Sequence, residues 1–323
     1  MVNFDSASDL PSLYRLLEQV QAKNGWAKAT PAIVPEPRHS FVPHRWQLSE
    51  MRAALHVAGR LVDTQWAERR NLIMANPHPG NDYATVPTLI GAYQMVKAGE
   101  KAHSHRHTPN AMRIVLEAGP DTYTVVDGRK IPMEPGDVLL TPNWHYHGHS
   151  NEGTQDAYWI DFLDAPLVMA MGPMFFQKHP QQVEVASEMD ALSPMRFAYS
   201  DYEPKLRAAA EISQKVRALT LGPETLVTFD RVVLHLEGGA QWTRDRSTAN
   251  QIYTVVQGSG SSRVGEIEFE WHRGDMIAVP GWNDQQHAAN EDTILIRVSD
   301  EPLMRMLNWY HTGRGMAEAK EET

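Results

Sequence analysis

A nine-residue pattern that occurs twice constrains the fold of this chain more than any other feature. The segment Gly136–Trp144 has the sequence GDVLLTPNW, and Gly274–Trp282 has the sequence GDMIAVPGW, 138 residues later. A match of this length at a fixed offset indicates a duplicated unit. Because short apolar runs between Gly, Asp and Pro are typical of antiparallel strands, we expect two copies of one β-barrel.

The segment before the first barrel predicts helices. Leucines at helical spacing follow a cap candidate at Ser8 or Asp9, and Gly25 can end this first helix. Four prolines between positions 31 and 43 favour an extended strap, because proline fixes φ and cannot donate a hydrogen bond. A second helix is expected over residues 49–62.

Short strands separated by turn residues begin near residue 88. In the first barrel they are expected at 89–96, 112–116, 122–126, 138–141 and 157–162. The connection between the barrels has a helical pattern over 202–219, and a final helix is expected over 301–310. This organisation gives four parts: an N-terminal helical arm (1–80), a first barrel with a metal site (81–166), a linker with a helix (167–220), and a second barrel with the terminal helix (221–323).

Composition excludes several classes of function. The 323 residues are 42% hydrophobic and 22% charged, as in globular proteins with an ample core. A net charge of −10 argues against nucleic-acid binding, which needs a basic face. The absence of cysteine excludes disulfides, thiolate metal sites and cysteine nucleophiles. Neither a signal peptide nor a membrane-length apolar run is recognisable, so we expect a cytoplasmic protein without a membrane partner.

Six histidines cluster in the first barrel, three on each side of the predicted hairpins: His103, His105, His107, His145, His147 and His149. Neutral imidazole is the commonest transition-metal ligand. Side chains two apart lie on the same face of a strand, so His105 and His107 can point together into the barrel. Packing alone would explain a single buried histidine, whereas this cluster predicts a metal site. Spacing leaves either His147 or His149 as the third ligand.

Several further motifs resemble one family. They are His105–Thr108, Tyr123–Gly128, Pro135–Asp137, Thr141–Trp144, Trp159–Pro166, Glu68–Arg70 and Asn76–Pro77. Together they resemble the gentisate 1,2-dioxygenase family, which includes salicylate and 1-hydroxy-2-naphthoate dioxygenases. The resemblance implies a mainly β bicupin, with two double-stranded β-helix (jelly-roll) barrels and an N-terminal helical arm. It also implies one Fe(II) held by His105, His107 and His147.

The residue types around the site agree with this implication. Where many cupins add a carboxylate ligand after His-x-His, this chain has Ala111 and Met112. Because three neutral ligands do not offset the charge of Fe(II), the bound ion would remain dipositive. They would also leave one face of the ion open to an anionic chelating substrate and dioxygen.

The second barrel lacks His-x-His. The 138-residue offset places Thr243 and Asp245 at the first two ligand positions, and a shift of one residue places Arg244 and Arg246 there. Gln285 and His287 fall at the positions of His147 and His149. We therefore expect this barrel to be metal-free, with a structural or assembly role. An anion pocket formed by the two arginines is the alternative.

The resemblance also implies substrate-binding roles for Arg113, Gln94 and Arg69, and a catalytic role for His149. Arg113 follows His107 by six residues and would share its strand face if the strand is unbroken. The unperturbed pKa of histidine lies near neutrality, which makes His149 a candidate proton carrier. The pattern departs from relatives at Pro109-Asn110 and at Ala92, and these positions can alter the shape of the pocket.

The function implied is that of an Fe(II)-dependent, extradiol-type ring-cleaving dioxygenase in aromatic-compound catabolism. With O2 as co-substrate it would open the C1–C2 bond of a 2-hydroxybenzoate, either gentisate, which gives maleylpyruvate, or a 5-substituted salicylate such as 5-nitro- or 5-chlorosalicylate. The family also implies a homo-oligomer, a tetramer or dimer. The alternatives are a non-enzymatic metal-binding bicupin and a Mn or Zn cupin isomerase or decarboxylase. Oxygen uptake separates these classes.

Overall fold

The computed structural model describes residues 2–27, 33–37, 40–63, 67, 69–186, 188–222 and 226–314. The chain divides into two compact units, Met1–Arg38 and His39–Thr323. Part of the predicted proline strap lies outside the described residues. Among those residues, the structure contains no helix of sufficient length and apolarity to span a membrane.

The smaller unit contains a 3-10 helix (Phe4–Ser6) and helix α1 (Leu10–Gln19). The predicted cap is confirmed, since Asp9 accepts a hydrogen bond from the Ser12 backbone N–H at 2.8 Å. The predicted end at Gly25 is wrong. The helix ends at Gln19, and Gln21 has a left-handed φ of 58°, so the chain leaves the helical path before the glycine.

The larger unit begins with strand β1 (His44–Trp46) and helix α2 (Leu48–Leu61), which confirms the second predicted helix. The next strands are β2 (Arg70–Ile73), β3 (Ile90–Val96), β4 (Lys101–His107), β5 (Ala111–Glu117), β6 (Thr122–Val126), β7 (Arg129–Pro132), β8 (Val138–Thr141), β9 (His147–Asn151) and β10 (Ala157–Leu163). Helix α3 (Ala165–Met171) and strand β11 (Phe176–Lys178) follow.

A second series of elements repeats this arrangement. It starts with β12 (Arg196–Phe197) and helix α4 (Tyr199–Ala208). Its strands are β13 (Glu211–Ser213), β14 (Val216–Thr220), β15 (Asp230–Leu236), β16 (Gln241–Arg244), β17 (Gln251–Gln257), β18 (Ser259–Val264), β19 (Ile267–His272), β20 (Met276–Val279), β21 (Gln285–Ala289) and β22 (Thr293–Ser299), and helix α5 (Glu301–Met306) follows.

The described residues form four antiparallel sheets, two for each barrel. The first barrel combines a sheet of order β12-β8-β5-β10-β3-β2 with one of order β11-β4-β9-β6-β7. The second combines β1-β20-β17-β22-β15-β14-β13 with β16-β21-β18-β19. The first six strands of each large sheet correspond one to one. The duplicated barrel and the mainly β bicupin fold are therefore confirmed.

The duplication is visible in the backbone of the repeated pattern. Trp144 and Trp282 have left-handed φ angles of 65° and 66°, and Gly136 and Gly274 have φ angles of 90° and 85°. A Cβ at Gly136 would lie 2.5 Å from the Tyr199 ring, so glycine is required there by close approach as well as by φ.

Each barrel also receives a strand from the segment that precedes the other. β1 pairs with β20 of the second barrel, and β12 pairs with β8 of the first. Ion pairs accompany both exchanges: Arg45 with Asp275 at 3.5 Å and Arg196 with Asp137 at 2.7 Å. The largest apolar core lies between the two large sheets and includes Ile160 and Phe162 from β10 together with Ile294 and Ile296 from β22. The barrels are thus joined by exchanged strands and a shared core.

Two predicted helices differ from the structure. The helix expected over 202–219 ends at Ala208 and is followed by β13 and β14, whose Val216 is buried in the core of the second barrel. Tertiary pairing with β15 overrides the helical pattern here. The terminal helix ends at Met306, shorter than the predicted 301–310.

Candidate metal centre

Strands β4 and β9 bring three of the clustered histidines together. They are neighbours in the five-stranded sheet, and His105 lies directly opposite His147. His107 is two residues after His105 and shares its face. One nitrogen from each of the three rings lies within 4.8 Å of the others, and His105 and His147 are buried. The structure therefore brings together the three histidines that the resemblance implies as ligands, and His149 is not part of this group.

Backbone carbonyls fix the tautomers of two of these rings. The Nδ1 of His107 donates to the Pro109 carbonyl at 2.8 Å, and the Nδ1 of His147 donates to the His145 carbonyl at 3.0 Å. Each Nε2 then carries a free lone pair. Metal-ligating histidines commonly show this arrangement, in which the second nitrogen is held by a hydrogen bond. The donor set fits a divalent transition metal with imidazole ligands.

The environment of His107 and His147 favours their neutral form. Burial, followed by the neighbouring charge of His105, lowers the pKa of His107 to about 4. Burial and the other two ligand histidines hold the pKa of His147 well below its ordinary value. Because a ligating imidazole must be unprotonated, the site is prepared for a metal at neutral pH.

His149 lies behind the ligands and contacts Arg113. The Arg113 Nη1 donates to the His149 Nδ1 at 2.6 Å and to the Thr124 hydroxyl at 3.1 Å. Since Arg113 can only donate, the His149 Nδ1 accepts and its proton resides on Nε2. Burial and the Arg113 charge hold the pKa of His149 well below its ordinary value. The surroundings of His149 therefore favour a neutral imidazole with Nε2 as its donor. Its role as a proton carrier stays a prediction.

A buried carboxylate organises the three residues expected to bind substrate. Asp161 on β10 is 2% exposed, and its Oδ1 lies 3.3 Å from the Arg113 Nε. The Gln94 amide donates to the other carboxylate oxygen of Asp161 at 2.5 Å, and the Arg69 Nε donates to the Gln94 carbonyl oxygen. Arg69, Gln94 and Arg113 thus belong to one network centred on Asp161.

The position of Arg113 differs from the one expected from the sequence. Arg113 does not share an unbroken strand with His107, because β4 ends at His107 and β5 begins at Ala111 in the facing sheet. It reaches the site from that sheet and is 1% exposed.

The remaining histidines and aromatic residues surround the centre. His103 is exposed, and the His145 Nδ1 lies 2.5 Å from a carboxylate oxygen of Asp127 at the surface. Trp159 is buried, with its ring 5.2 Å from that of His149. Trp144 packs against Phe175 at 4.8 Å. No sequence signal indicated that Thr124 accepts a hydrogen bond from Arg113, or that the Asn110 side chain accepts one from the Asn143 N–H in the loop before His147. Asn250 makes the equivalent contact in the second barrel, but it lies 140 residues after Asn110, so the 138-residue offset of the repeat does not pair the two.

The equivalent position of the second barrel holds an ion-paired cluster. Arg244 lies opposite Gln285, as His105 lies opposite His147. The Ser247 carbonyl accepts a hydrogen bond from the Trp282 N–H, just as the His107 carbonyl accepts one from the Trp144 N–H. His105 therefore corresponds to Arg244, but His107 corresponds to Ser247. Neither the 138-residue offset nor its shift by one residue aligns both positions. The Arg244 guanidinium donates to Glu301 at 2.7 Å. A carboxylate therefore already balances its charge, which disfavours the anion-pocket alternative.

Two barrels of this topology, one with three convergent imidazoles, define a bicupin with a candidate metal site. Residues 92–163 match the cupin domain family. The chain is 30% identical to gentisate 1,2-dioxygenase of Streptomyces sp, over 95% of this chain and 96% of the relative. It is also 30% identical to 5-aminosalicylate 1,2-dioxygenase of Comamonas sp, over 94% and 90%.

A solved structure shows the same likeness. The crystal structure of salicylate 1,2-dioxygenase from Pseudoaminobacter salicylatoxidans, as an adduct with gentisate, has a TM-score of 0.87 and 25% identity, covering 95% of this chain and 94% of that one. The chain belongs to the gentisate/salicylate 1,2-dioxygenase family of ring-cleaving enzymes. The resemblance seen in the sequence motifs is confirmed.

Proposed function

We propose that this protein is an Fe(II)-dependent dioxygenase that opens the C1–C2 bond of a 2-hydroxybenzoate. The observation that carries the proposal is the three-histidine centre, built without a carboxylate ligand and backed by the buried Arg113 network. Relatives named for gentisate and 5-aminosalicylate support the choice of substrate class.

The charges around the centre favour a chelating anion. Imidazole ligands add no charge to a bound metal, and two guanidinium groups, those of Arg69 and Arg113, belong to the network beside them. The charge of Arg69 contributes to the lowered pKa of both His107 and His149, which indicates that it acts across the site. A 2-hydroxybenzoate offers a carboxylate and an ortho oxygen to this cationic environment.

The bound Fe(II) would supply coordination positions for the carboxylate and ortho oxygen of the substrate and for dioxygen. The protein residues would bind and orient the ring. Gln94 and Arg69 would contact the ring carboxylate, with Arg113 supporting them through Asp161. His149, fixed by Arg113, would donate its Nε2 proton in a hydrogen bond to oxygen at the reacting carbons. The buried Trp159 ring lies 5.2 Å from that of His149 and would help to keep water out of this part of the site.

The reaction consumes one dioxygen for each ring opened, and both oxygen atoms enter the product. With gentisate the product would be maleylpyruvate. With a 5-substituted salicylate such as the nitro or chloro compound, the same bond would break. The residue at position 92 lies on β3 next to the network and is buried, so its side chain is positioned to influence which substituents fit.

An oxygen-electrode screen tests the proposal. The protein is loaded anaerobically with Fe(II), Mn(II) or Zn(II) and mixed with gentisate, salicylate, 5-nitrosalicylate, 5-chlorosalicylate or 1-hydroxy-2-naphthoate. We expect oxygen uptake with at least one compound and only after Fe(II) loading. Turnover without oxygen uptake under Mn(II) or Zn(II) would favour an isomerase or decarboxylase, and binding without turnover would favour a non-enzymatic bicupin.

The two barrels provide a matched pair of variants for this screen. His149 and His287 are both buried and occupy equivalent positions on β9 and β21. His149→Ala should lose most oxygen uptake, whereas His287→Ala should retain it. Equal losses would mean that the effect is one of folding.

We also propose that the enzyme is a homo-oligomer. Large apolar side chains are exposed close to the metal-bearing strand β4: Met169, Met171, Met174, Phe175 and Phe176. Contiguous exposed apolar surface of this kind commonly marks an interface. Light scattering coupled to size-exclusion chromatography should give a mass above that of one chain, and a monomer would contradict this part of the proposal.

A further inference from the structure

Two hydrogen-bonded clusters of the same composition lie where the barrels meet. The first clasp consists of Asn110, Asp164 and Thr228, and the second clasp consists of Asn250, Asp300 and Thr88. In each clasp the Asn and Asp belong to one barrel, and the Thr comes from the segment leading into a strand of the other barrel, β15 for Thr228 and β3 for Thr88. The two clasps are therefore reciprocal.

The first clasp is nearly closed to solvent. Asp164 is 1% exposed and accepts hydrogen bonds from the Asn110 backbone N–H at 2.8 Å, from the Asn110 side-chain amide at 2.9 Å and from the Thr228 hydroxyl at 2.5 Å. The Thr228 oxygen in turn accepts from the Asn110 amide at 3.2 Å. Every member thus depends on the other two.

The second clasp has matching geometry. Asp300 is fully buried and accepts from the Asn250 backbone N–H and side-chain amide, each at 2.7 Å, and from the Thr88 hydroxyl at 2.5 Å. Thr88 and Thr228 are both partly buried. Removing either hydroxyl should therefore cost the fold a similar amount.

Only the first clasp touches segments that carry metal ligands. Asn110 directly follows Pro109, whose carbonyl holds the Nδ1 of His107. The Asn110 side-chain oxygen also accepts from the Asn143 N–H at 3.0 Å, in the loop that leads to His147. Asn250 makes the same contact with the Gly281 N–H at 3.0 Å, but that loop serves no comparable histidine group among the described residues.

We propose that Thr228 is a positioning residue for the metal centre, through which the second barrel sets how tightly the first barrel binds a divalent metal. The inference rests on the metal site of the proposed function. The Thr228 hydroxyl donates a hydrogen bond to Asp164, and Asp164 accepts hydrogen bonds from Asn110. Asn110 in turn connects the turn after His107 to the loop before His147. The second barrel then contributes to the site without ligating the ion.

The test compares Thr228→Val with the matched control Thr88→Val. Each replacement keeps the shape of the side chain and removes one buried hydroxyl, which leaves its Asp with one hydrogen bond fewer. Loss of a partner that orients metal ligands typically weakens metal binding by 10- to 100-fold. We expect the dissociation constant for Fe(II) alone, measured anaerobically against a competing chelator, to rise by about tenfold or more in Thr228→Val.

The control should separate positioning from folding. Thr88→Val should show a similar fall in melting temperature with a dissociation constant within about twofold of the unmodified protein, and Thr228→Ser, which keeps the hydroxyl, should restore tight binding. Equal dissociation constants for the two Val variants would overturn the inference. If Thr228→Val does not fold, Asp164→Asn and Asp300→Asn form a second matched pair with the same expected contrast.

Failure of the proposed function would look different. If the unmodified protein bound no Fe(II) or Zn(II), the metal site itself would be wrong. If it bound metal but cleaved no aromatic substrate, the contrast between Thr228→Val and Thr88→Val would still stand, because it is measured without substrate.

Discussion

Replacement of Arg113 by Met should destabilise the fold severely, because it leaves the Asp161 carboxylate buried without its cation. Asp161 is 2% exposed and Arg113 1% exposed, so neither charge can be solvated by water. Removing one partner of a buried ion pair typically costs about 3–5 kcal/mol, whereas replacing both can be close to neutral.

The magnitude should appear as a large shift in melting temperature. A loss of about 3–5 kcal/mol corresponds to roughly 6–20 °C in a domain of this size class. In the double variant Arg113→Met/Asp161→Asn, much of that loss should return, since the charge is gone and the Asn oxygen can still accept from Gln94. Calorimetry on the single and double variants measures the coupling.

A surface pair provides the control. Arg52 lies 3.1 Å from Glu117, but its side chain is 54% exposed, and exposed pairs contribute at most about 1 kcal/mol. Arg52→Met should therefore change the melting temperature by only a few degrees. The reasoning is refuted if Arg113→Met is as mild as Arg52→Met, or if the double variant is no more stable than Arg113→Met.

Other predictions concern the ligands, the catalytic histidine and a buried aspartate. His105→Ala should lose bound iron, because the replacement removes one of the three proposed ligands. The iron content measured by mass spectrometry should fall from one ion per chain towards none. A value near two ions per chain in the unmodified protein would contradict the assignment of a single site. His149→Ala should retain its iron yet lose about 100- to 10,000-fold in turnover, and an iron-free variant would make His149 a ligand instead. Burial raises the pKa of Asp300 to about 6, so its protonated form is favoured in the fold and its contribution to stability falls as pH rises from about 4 to 6. The free energy of unfolding in urea, measured between pH 4 and 7, should therefore depend on pH by roughly 3 kcal/mol less in Asp300→Asn than in the unmodified protein. Parallel plots of this free energy against pH for the two proteins would contradict the prediction.

The sequence predicted the duplicated barrel well because its evidence was periodic and repeated. The pattern at Gly136 and Gly274 fixes strands β8 and β20, and both glycines do have the left-handed φ that the turn needs. The ligand histidines followed from strand periodicity together with the resemblance. These signals lie within short stretches of sequence, so they can be recognised without knowledge of tertiary contacts.

What the sequence did not predict depends on contacts between distant segments. The exchange of β1 and β12 between barrels joins residues over 200 and over 50 positions apart, and no local pattern encodes it. The pairing of β14 with β15 turned a helical pattern into a strand. At the site, Arg113 reaches His149 from the facing sheet, and this burial is also what keeps His149 neutral.

An isotope experiment tests the central claim most directly. The Fe(II)-loaded protein is given gentisate and ¹⁸O₂ in a single turnover, and the ring-opened product is analysed by mass spectrometry. We expect one dioxygen to be consumed per molecule of product, with both labelled atoms incorporated, and no product from protein in which His147 is replaced by Ala. Product containing one labelled atom or none, or ring opening that persists without iron, would contradict it.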